Sequence, residues 1–195
     1  GLNVQIYPTI QKFKKTDWGK LIPKESFFLS WDYLLAFEKL EVPNFRFQYA
    51  IVLEKNRPLA AFYFQLIFLS ESEISYVLKP LTSISPKNSI VNELQDWFVK
   101  CCLEKDFRLL VSGNNFISGE YGIGISPNAV VEEVFDAFAD TVKLISKNDK
   151  RDGKISAILV KDYFENTAVS TADHLQKKRY HRFLVEPEMI VAIQP

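Results

Sequence analysis

Two long apolar runs, Phe45 to Leu53 and Leu59 to Leu69, stand only a turn apart, and this closeness constrains the fold more than any other feature of the chain. Phe45-Arg46-Phe47-Gln48-Tyr49 alternates apolar and polar before passing into Ala50-Ile51-Val52-Leu53, as a strand does when it moves from a half-exposed to a buried position. Glu54-Lys55-Asn56-Arg57 supplies a turn, and Pro58 sits at a strand start, where its missing N–H is tolerated. A long antiparallel hairpin is therefore expected, and the rest of the chain must organise around a sheet. The 16 phenylalanines, within an aromatic share of 14%, suit strands and a thick sheet–helix interface.

The other elements follow from period and punctuation. Val4 to Tyr7 reads as a short strand within an otherwise irregular lead-in over residues 1–29. Ser30 offers an N-cap oxygen to a helix from Trp31 to Leu40, and Pro43 stops it. After a Ser/Pro-containing loop from Leu81 to Asn88, Ile90 to Glu104 shows apolar residues at helical spacing. Arg108 to Gly113 reads as a buried strand opening into a glycine-bearing segment, Gly119-Glu120-Tyr121-Gly122-Ile123-Gly124. Pro127 and Asn128 start a long amphipathic helix through Ile145, with Glu132 and Glu133 near its positive end. Ile155 to Val160 is another buried strand, Ala172 to Arg179 a short helix, and Phe183 to Gln194 a last strand interrupted at Pro187.

A chain of 195 residues with 47% hydrophobic and 25% charged residues can bury one sizeable core, so residues 1–195 are expected to form one domain with its core over 30–195. Lys+Arg and Asp+Glu are both 24, which leaves no net field to neutralise phosphates, so DNA is not expected as a partner. The basic stretch Lys177-Lys178-Arg179 with His181 and Arg182 reads as a solvated helix face. Cys101 and Cys102 are adjacent, suit neither a disulfide framework nor a metal, and fit a reducing, cytoplasmic setting as buried thiols. No run approaches the roughly 20 apolar residues of a membrane-spanning helix. No metal cluster, carboxylate pair or Ser-His-Asp set stands out.

Phe28-Leu29-Ser30-Trp31-Asp32-Tyr33-Leu34, Gly119-Glu120-Tyr121-Gly122 and the closing Lys178-Arg179-Tyr180 to Glu186-Pro187-Glu188-Met189, together with the order of elements, carry a resemblance. From about Ser30 to Gln194 the chain resembles the GNAT superfamily of acyl-CoA N-acyltransferases, closest to the duplicated Fem-type peptidoglycan aminoacyl transferases and their GNAT-like relatives. The resemblance implies an α+β, three-layer fold: a mixed, mainly antiparallel sheet with a central, splayed parallel pair and flanking helices. It implies transfer of an acyl group from a thioester or aminoacyl donor, such as acyl-CoA, to an amine acceptor, with no metal. In the family, amides at the start of the long helix hold the pyrophosphate of CoA. That role falls here on Gly119, Gly122, Ile123, Gly124 and Asn128, since helix starts carry unpaired N–H groups and glycines admit close approach.

This sequence departs from the family in the glycine motif leading to the long helix and at the position of the acid. Gly119 stands where the motif has Arg or Gln, Glu120 adds a carboxylate, and Ser126-Pro127 removes an amide donor. The pattern Leu-Tyr-Glu-Lys-Leu-Gly-Phe, aligned on Arg179-Tyr180, puts Leu175 at the position of the catalytic acid, with His174 beside it. Glu71, Glu73 and Glu120 are candidates for the base by loop position alone, so the catalytic residues stay unassigned. Two alternatives follow. One is a non-catalytic GNAT-like half that packs on a second half, as a homodimer or with a partner; the apolar end Ile190 to Pro195 fits a cut between halves. The other is a small-ligand protein using an aromatic cleft of Phe45, Phe47, Tyr49, Phe62 and Phe64.

Overall fold

The computed structural model describes residues 1–70, 72, 107–117, 122–148, 155–161 and 173–181. The chain divides into two compact units, Gly1–Tyr163 and Phe164–Pro195. In the first, the expected hairpin is the centre of the sheet: β2 (Phe45–Glu54) pairs antiparallel with β3 (Arg57–Leu69). Lys55 and Asn56 form its two-residue loop with φ of 48° and 66°, the left-handed geometry that matches the twist of the flanking strands. The register shifts between Val52 and Leu53, opposite Pro58, so Leu59 is the extra residue of a bulge where proline withdraws a donor from the ladder.

Beside the hairpin, β1 (Leu2–Tyr7) pairs antiparallel with β2. On the other edge β3 carries two partners in succession: β4 (Phe107–Ser112) along Phe64 to Leu69, and β5 (Ile123–Ile125) along Ala60 to Phe62. β4 and β5 thus run in one line along β3, separated by an excursion that begins at Gly113, whose φ is 117°. β6 (Ala157–Val160) is parallel to β4, with Leu109 opposite Ala157 and Ser112 opposite Val160. The order is β1-β2-β3-β4-β6, a mixed and mainly antiparallel sheet. Among the described residues the parallel pair ends the order rather than standing at its centre, and Phe183 to Gln194, expected as a further strand, lies outside them.

Helices cover both faces, because alternate residues of β3 point opposite ways. Phe62 and Phe64 meet Phe138 of α3 (Val131–Asn148), at centroid separations of 5.3 and 5.6 Å. These three rings are fully buried, each worth roughly 2–3 kcal/mol on transfer from water. The opposite face presents Phe47, Tyr49 and Tyr63 to α2 (Trp31–Glu38), capped by the Ser30 hydroxyl oxygen, which accepts from the Tyr33 amide at 3.4 Å. This helix stops at Glu38, well before Pro43. The proposed aromatic cleft is accordingly overturned: Phe47 and Tyr49 lie on one side of the sheet and Phe62 and Phe64 on the other, as period-2 strands require.

The lead-in is part of the core. Ile10, Phe13, Trp18, Leu21 and Leu29 are buried in one cluster with Leu34, Phe37, Phe47, Tyr49 and Tyr63. Besides β1 it holds the short helix α1 (Lys15–Gly19) and two 3-10 turns, Ile10–Lys12 and Phe27–Leu29. Its aromatics and aliphatics follow no period because they reach the core from turns, where no regular spacing applies. β6, expected to be buried, is partly exposed, with Ile158 at 38%. α3 begins at Val131, later than Pro127, because Ser126 to Ala129 is taken up by a turn in which the Ala129 amide donates to the Ser126 carbonyl at 3.0 Å. The helix expected over Ile90 to Glu104, and both cysteines, lie outside the described residues.

In the second unit, α4 (residues 173–177) ends in a turn where the Tyr180 amide donates to the Leu175 carbonyl at 3.1 Å. Arg179 has φ 68°, the left-handed conformation of a helix-terminating residue, and it is the residue aligned with the family's glycine. Replacing it by glycine relieves the Cβ penalty. Arg179→Gly is expected to stabilise α4 by about 0.5–1 kcal/mol, read as slower amide exchange at Lys178 and Tyr180. Lys177, Lys178, Arg179 and His181 are exposed, as a solvated helix face should be.

Candidate functional site

β4 and β6 are the parallel neighbours of the sheet, and open α/β folds bind ligands beyond the carboxyl ends of such strands, where successive connections diverge. Those ends are Ser112 and Val160. The ladder between them closes with the Lys161 amide donating to the Ser112 carbonyl at 3.5 Å, and the chain after Ser112 leaves this line before rejoining β3 as β5.

The segment Gly113 to Ile117 at this divergence is held by a buried polar network. Gln65, on β3 and fully buried, donates through Nε2 to Tyr63 Oη at 2.8 Å and to Asn114 Oδ1 at 3.2 Å. Its Oε1 accepts from the Asn115 amide at 2.8 Å. Asn114, also buried, accepts from the Phe116 amide at 2.9 Å and donates through Nδ2 to Tyr33 Oη at 3.3 Å, tying the loop to α2. Lys161 Nζ donates to the carbonyls of Asn114 and Ile117 at 2.9 and 2.6 Å. Strand, helix and loop therefore meet through charged and neutral hydrogen bonds that fix one loop geometry. None of Gln65, Asn114, Tyr33 or Lys161 was legible as a site residue. Gln65 alone left a sequence signal, an amide inside the most apolar run of the chain.

Next to this network Tyr49 and Tyr63 stack at 5.3 Å in the core. The Tyr49 hydroxyl is buried and closes no hydrogen bond of good geometry; burial first, then the neighbouring Tyr63 and Glu38, push its pKa far up. Burial also raises Tyr63, against the opposing effect of the Gln65 hydrogen bond. Both stay neutral in the folded chain at pH values where an unfolded tyrosine, near 10.0, ionises. The stability they lend is full below pH 10 and is lost as pH rises above it, by up to about 1.4 kcal/mol per pH unit for each. Alkaline denaturation followed by circular dichroism is expected to show a steepening loss above pH 10, reduced in Tyr49→Phe. Glu38 has a structural position: its carboxylate accepts from Thr9 Oγ1 at 2.8 Å and from the Ile10 amide at 2.7 Å, clamping the lead-in to α2.

The glycines expected to cradle a phosphate are placed differently from one another. Gly119 lies outside the described residues, as do Glu71, Glu73 and Glu120. Gly122 and Gly124 are buried, and the space a side chain would take is filled by protein. A Cβ on Gly122 would stand 2.4 Å from the Gly113 nitrogen and 2.6 Å from the Tyr63 carbonyl oxygen; one on Gly124 would stand 2.6 Å from both Ile22 Cδ1 and the Leu21 carbonyl oxygen. Their small size serves packing of β5 against β3, the Gly113 bend and the lead-in. Ile123 is buried in the same strand. Asn128 is exposed in the turn before α3, its amide donating to Ser126 Oγ at 3.4 Å. Six residues, Ile125 to Val130, separate Gly124 from the first residue of α3, so glycines and helix start are not one loop. Glu132 and Glu133 lie in the first turn of that helix.

In the second unit Leu175, at the family's acid position, is buried, and His174 beside it is half-buried. Burial raises the pKa of Tyr180. Among the described residues no three His, Cys, Asp or Glu side chains cluster as a metal site, and no helix is long and apolar enough to cross a membrane.

With this geometry the chain was compared with known proteins. No family model and no curated protein matches the sequence. Among solved structures, an aminoglycoside acetyltransferase from an uncultured soil metagenomic sample superposes with a TM-score of 0.51 at 13% identity, covering 99% of this chain and 99% of that one. The chain has an acetyltransferase-like fold. A possible acetyltransferase from Clostridium difficile 630 gives a TM-score of 0.46 at 11% identity, over 98% and 99% of the two chains. The acetyltransferase-like fold is an α+β architecture with a mixed sheet and helices on its faces, as the resemblance implied. The closer kinship to Fem-type enzymes draws no support from these two structures.

Proposed function

We propose that this protein is an N-acyltransferase that moves an acyl group from a thioester donor of the acyl-CoA type to a primary amine. The observation that carries the reading is the strand arrangement: a parallel pair whose ladder ends at Ser112 and Val160, a fixed polar loop at that end, and a fold of acetyltransferase type around it. The amine nitrogen attacks the thioester carbonyl, a C–N bond forms, the C–S bond breaks, and the departing thiolate takes up the proton that the amine gives up. The loop Gly113 to Ile117 is the surface against which the carbonyl would lie. The donor's phosphates would approach Asn128 and the first-turn amides of α3, where a helix start favours anions. Gly122, Ile123 and Gly124 serve by carrying the chain to that start, and Gly119 belongs to the same stretch.

Glu132 and Glu133 oppose a phosphate there, which makes a direct test possible. Calorimetry with acetyl-CoA is expected to show saturable binding, tightened by about two- to fivefold in Glu133→Gln as one repelling charge leaves the helix start. Thiol release on adding amines is the companion assay. Absence of both binding and thiol release at millimolar acetyl-CoA would refute the reading. A second reading, a non-catalytic domain of this fold that packs on another copy or on a partner, draws on the buried, apolar Leu175 at the acid position. It predicts an assembly in sedimentation together with no thiol release.

A further inference from the structure

The loop from Gly113 to Ile117 is gripped from two sides, and the two grips differ in chemistry. Two of its amides face neutral acceptors: Asn115 donates to Gln65 Oε1 at 2.8 Å and Phe116 to Asn114 Oδ1 at 2.9 Å. Two of its carbonyls face a charge. Lys161 Nζ lies 2.9 Å from the Asn114 oxygen and 2.6 Å from the Ile117 oxygen, so two C=O groups three residues apart converge on one ammonium. Hydrogen bonds from a charged donor are about twice as strong as neutral ones, and carbonyl oxygens aimed at one point repel each other unless a cation stands between them. A neutral side chain at position 161 therefore leaves the Asn114 and Ile117 carbonyls opposed.

The place of Lys161 in the sheet gives this grip its consequence. Lys161 directly follows β6 and is half-buried, and its amide donates to the carbonyl of Ser112, the last residue of β4. Main chain and side chain of one residue thus tie the end of β6 both to the end of β4 and to the loop beyond it. Asn115 is exposed, so hydrogen bonds rather than burial set the course of the chain there. Phe116 rests its ring on Phe37 and Phe45 at 5.4 and 5.0 Å, an anchor independent of Lys161. Loss of the charge is accordingly expected to shift the loop without releasing it from the sheet. A misplacement of about 1 Å in groups that position reacting atoms is enough to slow a reaction about a hundredfold.

Resting on the acyltransferase reading, we infer that Lys161 is a positioning residue for acyl transfer. Through its charge it holds the Asn114 and Ile117 carbonyls, and with them the loop at the carboxyl end of the parallel pair, in the geometry the reaction uses. The role is exercised through the loop and needs no contact with donor or acceptor.

The test uses the full chain with acetyl-CoA and whichever of 2-phenylethylamine, spermidine and an aminoglycoside gives the fastest thiol release. Lys161→Met and Lys161→Gln are expected to lower kcat about tenfold to a hundredfold while KM for acetyl-CoA changes less than about twofold. Lys161→Arg keeps the charge and two donors for the two carbonyls, and is expected to restore kcat to within about fivefold of the parent. Amide exchange at Asn115 and Phe116 is expected to quicken about tenfold in the two neutral variants and little in Lys161→Arg. Lys143→Ala, on the exposed side of α3, leaves all of these unchanged. Circular dichroism reports folding; should Lys161→Met not fold, the polar Lys161→Gln carries the comparison at this half-buried site. An unchanged kcat in Lys161→Gln, even with faster exchange, would reduce Lys161 to a structural clamp and overturn the inference while leaving the acyltransferase reading intact. Lys161→Arg no better than Lys161→Gln would overturn it too, since charge would then not matter. A parent that releases no thiol with any of the three amines also overturns it, and calorimetry with acetyl-CoA then decides the acyltransferase reading separately.

Discussion

Gly122→Ala is expected to lower stability by at least about 3 kcal/mol, a fall in Tm of roughly 6–12 °C for a chain of this size. The added methyl would meet the Gly113 nitrogen at 2.4 Å and the Tyr63 carbonyl oxygen at 2.6 Å, both backbone atoms that no rotamer change can move aside. Those atoms are themselves engaged: the Gly113 amide donates to the Tyr63 carbonyl at 3.2 Å, and the Tyr63 amide to the Gly122 carbonyl at 2.8 Å. Accommodating the methyl separates β5 from β3, breaks these bonds or forces Gly113 out of its left-handed bend. Urea denaturation of the variant and the parent measures the loss. A change under 1 kcal/mol would mean that the excursion between β4 and β5 yields easily, and that Gly122 is small for some reason other than packing.

Gln65→Leu is expected to cost about 2–4 kcal/mol and to cut the proposed acyl transfer at least tenfold. Leucine nearly matches the volume, so the loss is one of hydrogen bonds. The Asn115 amide loses its acceptor, Tyr63 Oη loses its donor, and Asn114 Oδ1 keeps only the Phe116 amide. A buried donor or acceptor left without a partner costs far more than the net worth of the bond it made. Tyr63→Phe makes the comparison sharp. It removes one oxygen while Gln65 Nε2 retains Asn114, so about 1 kcal/mol is expected. Amide exchange at Asn115 reads the loop directly, and an unchanged rate in Gln65→Leu would show that the loop does not depend on Gln65.

Much of the frame is legible because it rests on short-range rules. The hairpin follows from two apolar runs and a turn at Lys55-Asn56, α2 from the Ser30 cap, and α3 from its apolar stripe through Val134, Phe138 and Val142. Where short-range signals are shared by two outcomes, the reading goes astray. Gly122 and Gly124 read equally as a phosphate cradle and as close packing, since both need a residue without Cβ; the atoms that decide, from Gly113, Tyr63, Leu21 and Ile22, are remote in sequence for Gly124 and, through Tyr63, for one of the three Gly122 contacts. The lead-in reads as irregular because Ile10, Phe13 and Trp18 enter the core from turns. The five aromatics of β2 and β3 read as one cleft only until strand pairing assigns them to faces.

From residue order alone came the strands and helices, the balance of charge, and the resemblance in element order to the acyltransferases. These depend on periodicity and capping, which act over a few residues. Only the tertiary structure decided that Gln65, Asn114, Tyr33 and Lys161 meet at the end of β4, and that Phe116 packs against Phe37 and Phe45. Gln65 and Asn114 are 49 positions apart, and Asn114 and Tyr33 81. Contacts at such separations are set by strand register and helix packing, in which every residue of the sheet has a share, so no local pattern can encode them.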